Sequence, residues 1–384
     1  MRKVFLLLLF TILCANFSVI AQTIYTEIAS SILTESRKLK IQLPRNYETN
    51  TDKKYPIVLT LDGDYLFEPV AGNVDYFSYW EDMPEAIVVG IMQDKSRFDD
   101  TFYDETNYLP AEKGADFFEF IGLELIPFLD KEYRTAKFIV AVGHDFTANF
   151  INYYLFKSPP LFNGYIVLSP DLDPKMNERL TEKLSTTEYK TFYYLATGTN
   201  DIKSLHKSAK ELNVSLKTVD NKKVKYYFDD FEGATHYSLV ARGIPNALEN
   251  IFSVYRPISK QEFNDVLMKL ETPVSEYLIE KYKTIEDLFG LQNPIRTNDF
   301  IATATASEKK EEWKSLEEIA KMAKKQYPNT LLGDYYLGRF YEETGDPKKA
   351  FKTYQGAYNK TEVDFITVDL MMEKAERLKA DFGY

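Results

Sequence analysis

Gly143-His144-Asp145-Phe146-Thr147 stands between a run of buried, β-branched residues and the start of a helical pattern. A tight strand-to-helix turn there lifts residue 145 clear of the sheet, where a nucleophile is reached by substrate. The residue at that point is an acid. Acyl transfer by a hydroxyl needs a nucleophile with a proton to lose, a histidine to take it, an acid to orient the histidine and N–H donors for the tetrahedral oxyanion. The Asp145 carboxylate has no such proton. It can instead attack carbon and form an ester, which histidine-activated water then hydrolyses. Three histidines are available in the chain: His144 inside the turn, His206 on a helical stretch and His236 in a loop. A buried ion pair between Asp145 and His236 is the structural alternative to chemistry, and Asp201 can equally be a helix N-cap. Asp62 and Asp64 can be turn residues. The pairs Asp99-Asp100 and Asp229-Asp230 lack the loop spacing and histidine ligands of a cation site and read as solvated loops, so no metal or cofactor is expected. Tyr65, Phe67, Tyr76, Phe77, Tyr79 and Trp80 form an aromatic-rich stretch that either packs an insertion loop or lines a sugar or acyl site.

The elements that must position these residues follow from the hydrophobic pattern. Strands are expected near 23–28, 38–43, 57–61, 87–91, 138–142, 165–168, 192–196 and 224–228. Helices are expected over 115–129, 148–156, 202–212 and 239–252. Short apolar strands alternating with helices predict a mostly parallel sheet covered on both faces, an α/β domain over 22–255. Beyond Pro257 the strand signal stops. Helices are expected over 262–270 and 274–288, and the polar stretch 293–307 predicts a hinge, so 256–307 reads as a helical linker. From 308 to 384 the chain is helical, with breaks at Tyr327-Pro328-Asn329 and at Thr344-Gly345-Asp346-Pro347, where Asp346 is suited to N-cap and Pro347 to the first helical position.

The first 21 residues are a separate block: Arg2 and Lys3, an apolar run from Val4 to Cys14 too short to span a bilayer, and Val19 and Ala21 placed for cleavage. An exported, periplasmic or secreted protein is expected. Leu13 before Cys14 argues against a lipid anchor, and the mature chain would hold no cysteine and no disulfide. No later stretch is apolar enough to cross a membrane. The net charge of −11 falls by two more when Arg2 and Lys3 leave with the leader, which excludes duplex nucleic acid as a natural partner.

In order and spacing, residues 23–255 resemble the putative esterase family of the α/β-hydrolase fold, which includes esterase D and the enterochelin esterases. The resemblance rests on several segments. They are Leu61-Asp62-Gly63-Asp64, the 124–127 and 131–135 segments before the elbow strand, Phe162-Asn163-Gly164-Tyr165 with Leu168-Ser169-Pro170, and Phe231-Glu232-Gly233-Ala234-Thr235-His236. It implies Asp145 at the nucleophile position, Asp201 as acid and His236 as the histidine. Backbone N–H groups of Phe146 and of Gly63 or Asp64 would form the oxyanion hole, with Arg97 in the neighbouring loop. The implied ligand is a small or carbohydrate-linked ester. Asp145 and Thr147-Ala148 depart from the family's Ser and Gly-Gly, so ester hydrolysis is expected to be reduced or lost, with Thr147 a sign of relaxed constraint or a filler of the vacated space. The elbow also resembles the Gly-His-Asp-Trp of epoxide hydrolases, although their His-Gly-x-Pro segment is absent. The helical tail resembles a tetratricopeptide repeat at Leu337, Gly338, Tyr341, Gly345, Ala350, Tyr354 and Ala357, and it either packs on the first domain or contacts a protein partner.

Overall fold

The computed structural model describes residues 23–356 and 358–383; the expected leader at 1–21 and Ala357 lie outside them. The chain forms two compact units, up to Phe252 and from Ser253.

The first unit is built on an eight-stranded sheet. Its strands are β1 (Thr23–Ala29), β2 (Ser36–Gln42), β3 (Tyr55–Thr60), β4 (Ile87–Ile91), β5 (Thr135–His144), β6 (Gly164–Leu168), β7 (Thr191–Asn200) and β8 (Val224–Thr235), in the spatial order β1-β2-β4-β3-β5-β6-β7-β8. β2 runs antiparallel to β1 and β4, and every other neighbouring pair is parallel. The central strands read as unbroken apolar runs because both faces are covered. Ile57, Leu59, Ala141, Tyr165, Val167, Tyr193 and Leu195 join the core on one face. Val58, Val140, Val142, Ile166 and Leu168 alternate with them and are equally buried on the other. On that second face, Phe67 of α1 (Phe67–Tyr79) lies against Gly90. This is the α/β-hydrolase fold that the resemblance implies.

Two helices longer than a single turn escape the hydrophobic pattern. One is α1, whose buried Phe67, Val70, Ala71, Val74 and Phe77 follow helical spacing behind a Pro and a Gly. The aromatic stretch is therefore a helix with two fates: Phe67 and Phe77 are core, whereas Tyr76, Tyr79 and Trp80 are exposed. The others before the elbow are α2 (Arg97–Asp100), α3 (Lys113–Phe120) and α4 (Ile126–Glu132), the last two joined by a π-helical turn over Ile121–Leu125 where one helix over 115–129 is expected. After the elbow come α5 (Phe146–Ile151) and a 3-10 turn to Phe156, then α6 (Met176–Thr186), the second unexpected helix. α7 (Lys203–Leu216) and α8 (Ser238–Ile251) complete the unit.

The second unit is all helical: α9 (Lys260–Asp265), α10 (Val274–Phe289), α11 (Thr297–Lys309), α12 (Trp313–Gln326), α13 (Leu332–Glu343), α14 (Pro347–Gln355) and α15 (Val368–Phe382). The expected linker over 256–307 is corrected here. The 293–307 stretch carries α11, and Phe300, Ala304 and Ala306 share one core with Leu267, Val274 and Leu278. Its Thr, Ala and Ser residues are small because neighbours press close, not because the chain hinges. Asp299 anchors it, accepting the Ile258 N–H and the Tyr282 hydroxyl at 2.7 Å each. Asp346 caps α14 through the Lys349 N–H, and Gly338 gives room to the Tyr354 ring, which a Cβ would meet at 2.2 Å.

Candidate functional site

Strand ends set the site. β3, β5 and β6 each run into a residue with left-handed backbone: Asp62 at φ 53°, Asp145 at φ 61° and Ser169 at φ 43°. Such turns are strained for residues with a Cβ. The Asp145 N–H continues the sheet to the Leu168 carbonyl at 3.0 Å, and the Asp145 carbonyl accepts from Asn149 N–H at 3.2 Å as α5 begins. The strand and helix approach so closely that a Cβ on Gly143 would sit 2.6 Å from the Thr147 carbonyl. Residue 145 is therefore raised on a true elbow, whatever its side chain.

On one side of the elbow stand His236 and Asp201. His236 follows β8, and its Nδ1 lies 2.9 Å from Asp201 Oδ1 and 3.1 Å from Ser169 Oγ. Burial alone would raise the Asp201 carboxyl. Hydrogen bonds from His236, Ser169, Ile202 N–H and Thr197 outweigh it and bring the group down to about 2. Asp201 is no helix cap: α7 starts two residues later and its own N-cap position is Ile202. The Nε2 of His236 has no hydrogen-bond partner among the described residues, and no hydrogen bond joins His236 to Asp145. The expected Asp145–His236 ion pair is thus not formed; the pairing charge comes from elsewhere.

It comes from Arg97. The guanidinium holds Asp62 through Nε at 2.6 Å and Nη2 at 3.2 Å, the His144 carbonyl through Nη2 at 3.0 Å and Asp145 Oδ2 through Nη1 at 3.3 Å. Burial works against its charge, but the Asp62 bond more than restores it and Arg97 stays firmly protonated. Thr147, fully buried, places its hydroxyl 2.6 Å from Asp62 Oδ2 and 2.9 Å from the His144 carbonyl. Its side chain knits the elbow to the β3 turn, which corrects the expectation of relaxed constraint or space filling. Asp62 is likewise more than a turn residue: it receives Arg97, Thr147 and the Tyr65 hydroxyl, and its N–H donates to Gln93.

His144 is the hinge between the two sides. Its Nε2 lies 3.0 Å from the His236 carbonyl and its Nδ1 3.1 Å from the Tyr65 hydroxyl. Burial, with His236 beside it, pushes His144 down to about 4. At neutral pH it is an uncharged ring whose Nε2–H donates to the carbonyl and whose Nδ1 is an acceptor that shares the single Tyr65 hydroxyl proton with Asp62.

Of the expected oxyanion donors, Gly63 is excluded because its N–H is spent on the Ile91 carbonyl at 2.8 Å. The N–H groups of Phe146, first in α5, and of Asp64 have no backbone acceptor among the described residues. The Asp64 carboxylate accepts the Gln93 N–H at 2.7 Å. Of the remaining acidic pairs, Asp99 is tied to Lys113, Asp100 to Arg37 and Asp230 to Lys210, with the His206 ring 3.2 Å from Asp230, while Asp229 accepts from the Tyr194 hydroxyl and the Asn246 amide. No group of three or more His, Cys, Asp or Glu among the described residues is placed to hold a metal ion. Nor is any described helix long and apolar enough to cross a membrane.

Thr147, Ser169 and Gln93 were not among the residues expected to build the site, and Tyr65 was expected only as a ring that packs a loop or lines a ligand. Ser169 carried a usable signal, a polar residue between a strand end and a proline; Gln93 carried none.

Comparison with known proteins follows from this geometry. A crystal structure of an uncharacterised protein from Capnocytophaga ochracea DSM 7271 is 32% identical, matching 94% of this chain and 100% of that one with a TM-score of 0.83. An IroE-like serine hydrolase from Shewanella oneidensis shares the fold at 20% identity, with a TM-score of 0.58 over 78% of this chain and 98% of that one. The uncharacterised protein YjcH of Bacillus subtilis is 24% identical over 214 residues, 53% of this chain and 86% of its own length. Residues 30–333 match the sequence profile of the family described as putative esterase. The chain belongs to that family, on an α/β-hydrolase fold whose elbow carries an aspartate.

Proposed function

We propose that this protein is an exported, esterase-like α/β-hydrolase that has lost or largely lost ester hydrolysis and uses the site to bind an ester-like or carbohydrate-linked ligand. One observation carries the reading. The elbow carboxylate is engaged by Arg97 rather than by His236, and a carboxylate offers a histidine no proton to remove. Nothing in this arrangement supplies the alkoxide on which acyl transfer depends.

A second reading has its own support. The His236–Asp201 pair is kept, and Nε2 remains without a partner, as activation of a hydrolytic water requires. In that case Asp145 attacks an epoxide or haloalkane carbon, opening the ring or expelling halide, and His236 directs water onto the resulting ester.

The test is hydrolysis of short-chain nitrophenyl esters by protein prepared from the envelope fraction, whose first residue is Gln22 if export and cleavage occur as proposed. The parent is expected to be silent and the Asp145→Ser variant to gain turnover that His236→Ala removes. Parent hydrolysis abolished by His236→Ala would sink the binding reading. Turnover of an epoxide or haloalkane by the parent would establish the second.

A further inference from the structure

We propose that the site takes a cationic ligand, a protonated amine or guanidinium joined to an aromatic or apolar body, seated between Asp145 Oδ1 and the exposed rings of Phe98 and Tyr237. The proposal rests on the binding role proposed for the site above and names the chemistry of the ligand's charged part.

A site for acyl transfer is built to welcome negative charge as it develops. Here the balance is reversed. Asp62, Asp145, Asp171 and Asp201 are joined in one patch: Asp62 and Asp145 through Arg97, Asp171 by its N–H on the Asp145 carbonyl at 3.2 Å, and Asp201 through His236. Against these four carboxylates the contacts set one guanidinium, and it is already committed to Asp62, Asp145 and the His144 carbonyl. A bound anion could engage that guanidinium only by displacing those partners. The field is felt locally: burial first, and then the Asp145 charge, raises the Asp171 carboxyl.

Two groups in this patch still need partners. Asp145 is held only through Oδ2, by a long bond of 3.3 Å; Oδ1 has no hydrogen bond among the described residues, and the side chain is 16% exposed. His236 is nine-tenths buried, with Nδ1 satisfied and Nε2 not. Its ring packs 4.4 Å from that of His144, the residue before Asp145, so the unsatisfied nitrogen and the unsatisfied carboxylate flank the same elbow. With the proton of His236 on Nδ1, facing Asp201, Nε2 is an acceptor. Both groups thus call for an N–H donor, and an ammonium or guanidinium supplies several.

The apolar part of the ligand is read from the rim. Phe98 is 72% exposed and lies tilted 4.9 Å from Phe146, whose ring carries the Arg97 guanidinium at 5.3 Å. Tyr237 is 80% exposed and meets His236 edge-on at 5.1 Å. Exposed rings beside an acidic patch attract cations through their faces as well as apolar surface.

The probes are benzylammonium, benzyl alcohol and benzoate, equal in size and different in charge, titrated into the purified protein by calorimetry or ligand-observed resonance. Benzylammonium is expected to bind at least about tenfold more tightly than benzyl alcohol, with benzoate weakest, a factor of ten corresponding to about 1.4 kcal/mol. Asp145→Asn keeps the shape, removes the charge and is expected to erase that advantage. Phe98→Ala and Tyr237→Ala, at exposed positions that do not endanger folding, are expected to weaken ammonium binding by a few-fold each. Benzoate binding as tightly as benzylammonium, no saturable binding of benzylammonium, or an undiminished advantage in folded Asp145→Asn would each overturn the proposal. The ester assay is independent: His236-dependent hydrolysis by the parent would defeat the binding role, while a retained ammonium preference would then describe the substrate.

Discussion

The two sides of the elbow have been treated differently. On the histidine side, Asp201, His236 and Ser169 keep the arrangement that orients an imidazole for proton transfer. On the arginine side, Asp145, Arg97, Asp62 and Thr147 form a bonded web centred on a guanidinium. Replacing a serine by an acid introduces a charge that something must meet, and a guanidinium already near Asp62 meets it. The difference teaches that an acid at the elbow need not loosen a site: contacts on the arginine side meet its charge, while the histidine side is bonded independently of it.

Acid titration sharpens this contrast, because one neutral histidine joins the sides and one carboxylate anchors the kept one. The largest effect belongs to His144. Its folded-state value of about 4 lies below the ordinary 6.5, so the unfolded chain takes up a proton first as pH falls. The stability this group contributes is complete above pH 6.5 and drains away down to pH 4, by about 3 kcal/mol. Denaturant titrations across that range should show the loss, and His144→Gln should flatten it; an unchanged slope would mean that the two sides are not joined through this ring.

Asp201 is next. Its value is depressed from 3.8 to about 2, so its contribution is present above pH 3.8 and is lost between there and pH 2, by about 2 kcal/mol. Asp201→Asn should remove that low-pH component while sparing the His144 limb. If both limbs vanish together, the histidine side is not the independent unit described here.

The smallest effect is that of Thr147→Val, which keeps the shape and deletes the hydroxyl to Asp62. Because Tyr65 and Arg97 still serve that carboxylate, the cost should be about 1 kcal/mol, read as a shift in the denaturation midpoint. A stabilised variant would show Thr147 to be mere filling and the arginine side to be slack.

Much of this was legible in the chain. Unbroken apolar runs marked β3 to β7, and the family resemblance pointed to the Gly143–Thr147 segment, Asp201 and His236. What stayed hidden has physical causes. α1 was obscured because Pro69, Gly72 and Asn73 interrupt its pattern and its exposed face carries Tyr76, Tyr79 and Trp80. α11 looked like a hinge because residues chosen for close packing are the same small, polar ones that loops favour. Thr147 looked slack because a hydroxyl's partner across the sheet, Asp62, is 85 residues away. Arg97 was expected near the site, but its choice of Asp145 over solvent depends on distances that no local pattern encodes.

The backbone of the elbow rests on bonds from main-chain atoms and on the bare Cα of Gly143, none of which involves the side chain at 145. Fold and chemistry are consequently written in separable parts of the gene. The residue at the elbow can be exchanged without dismantling the frame around it, so the socket outlasts whichever tool it holds.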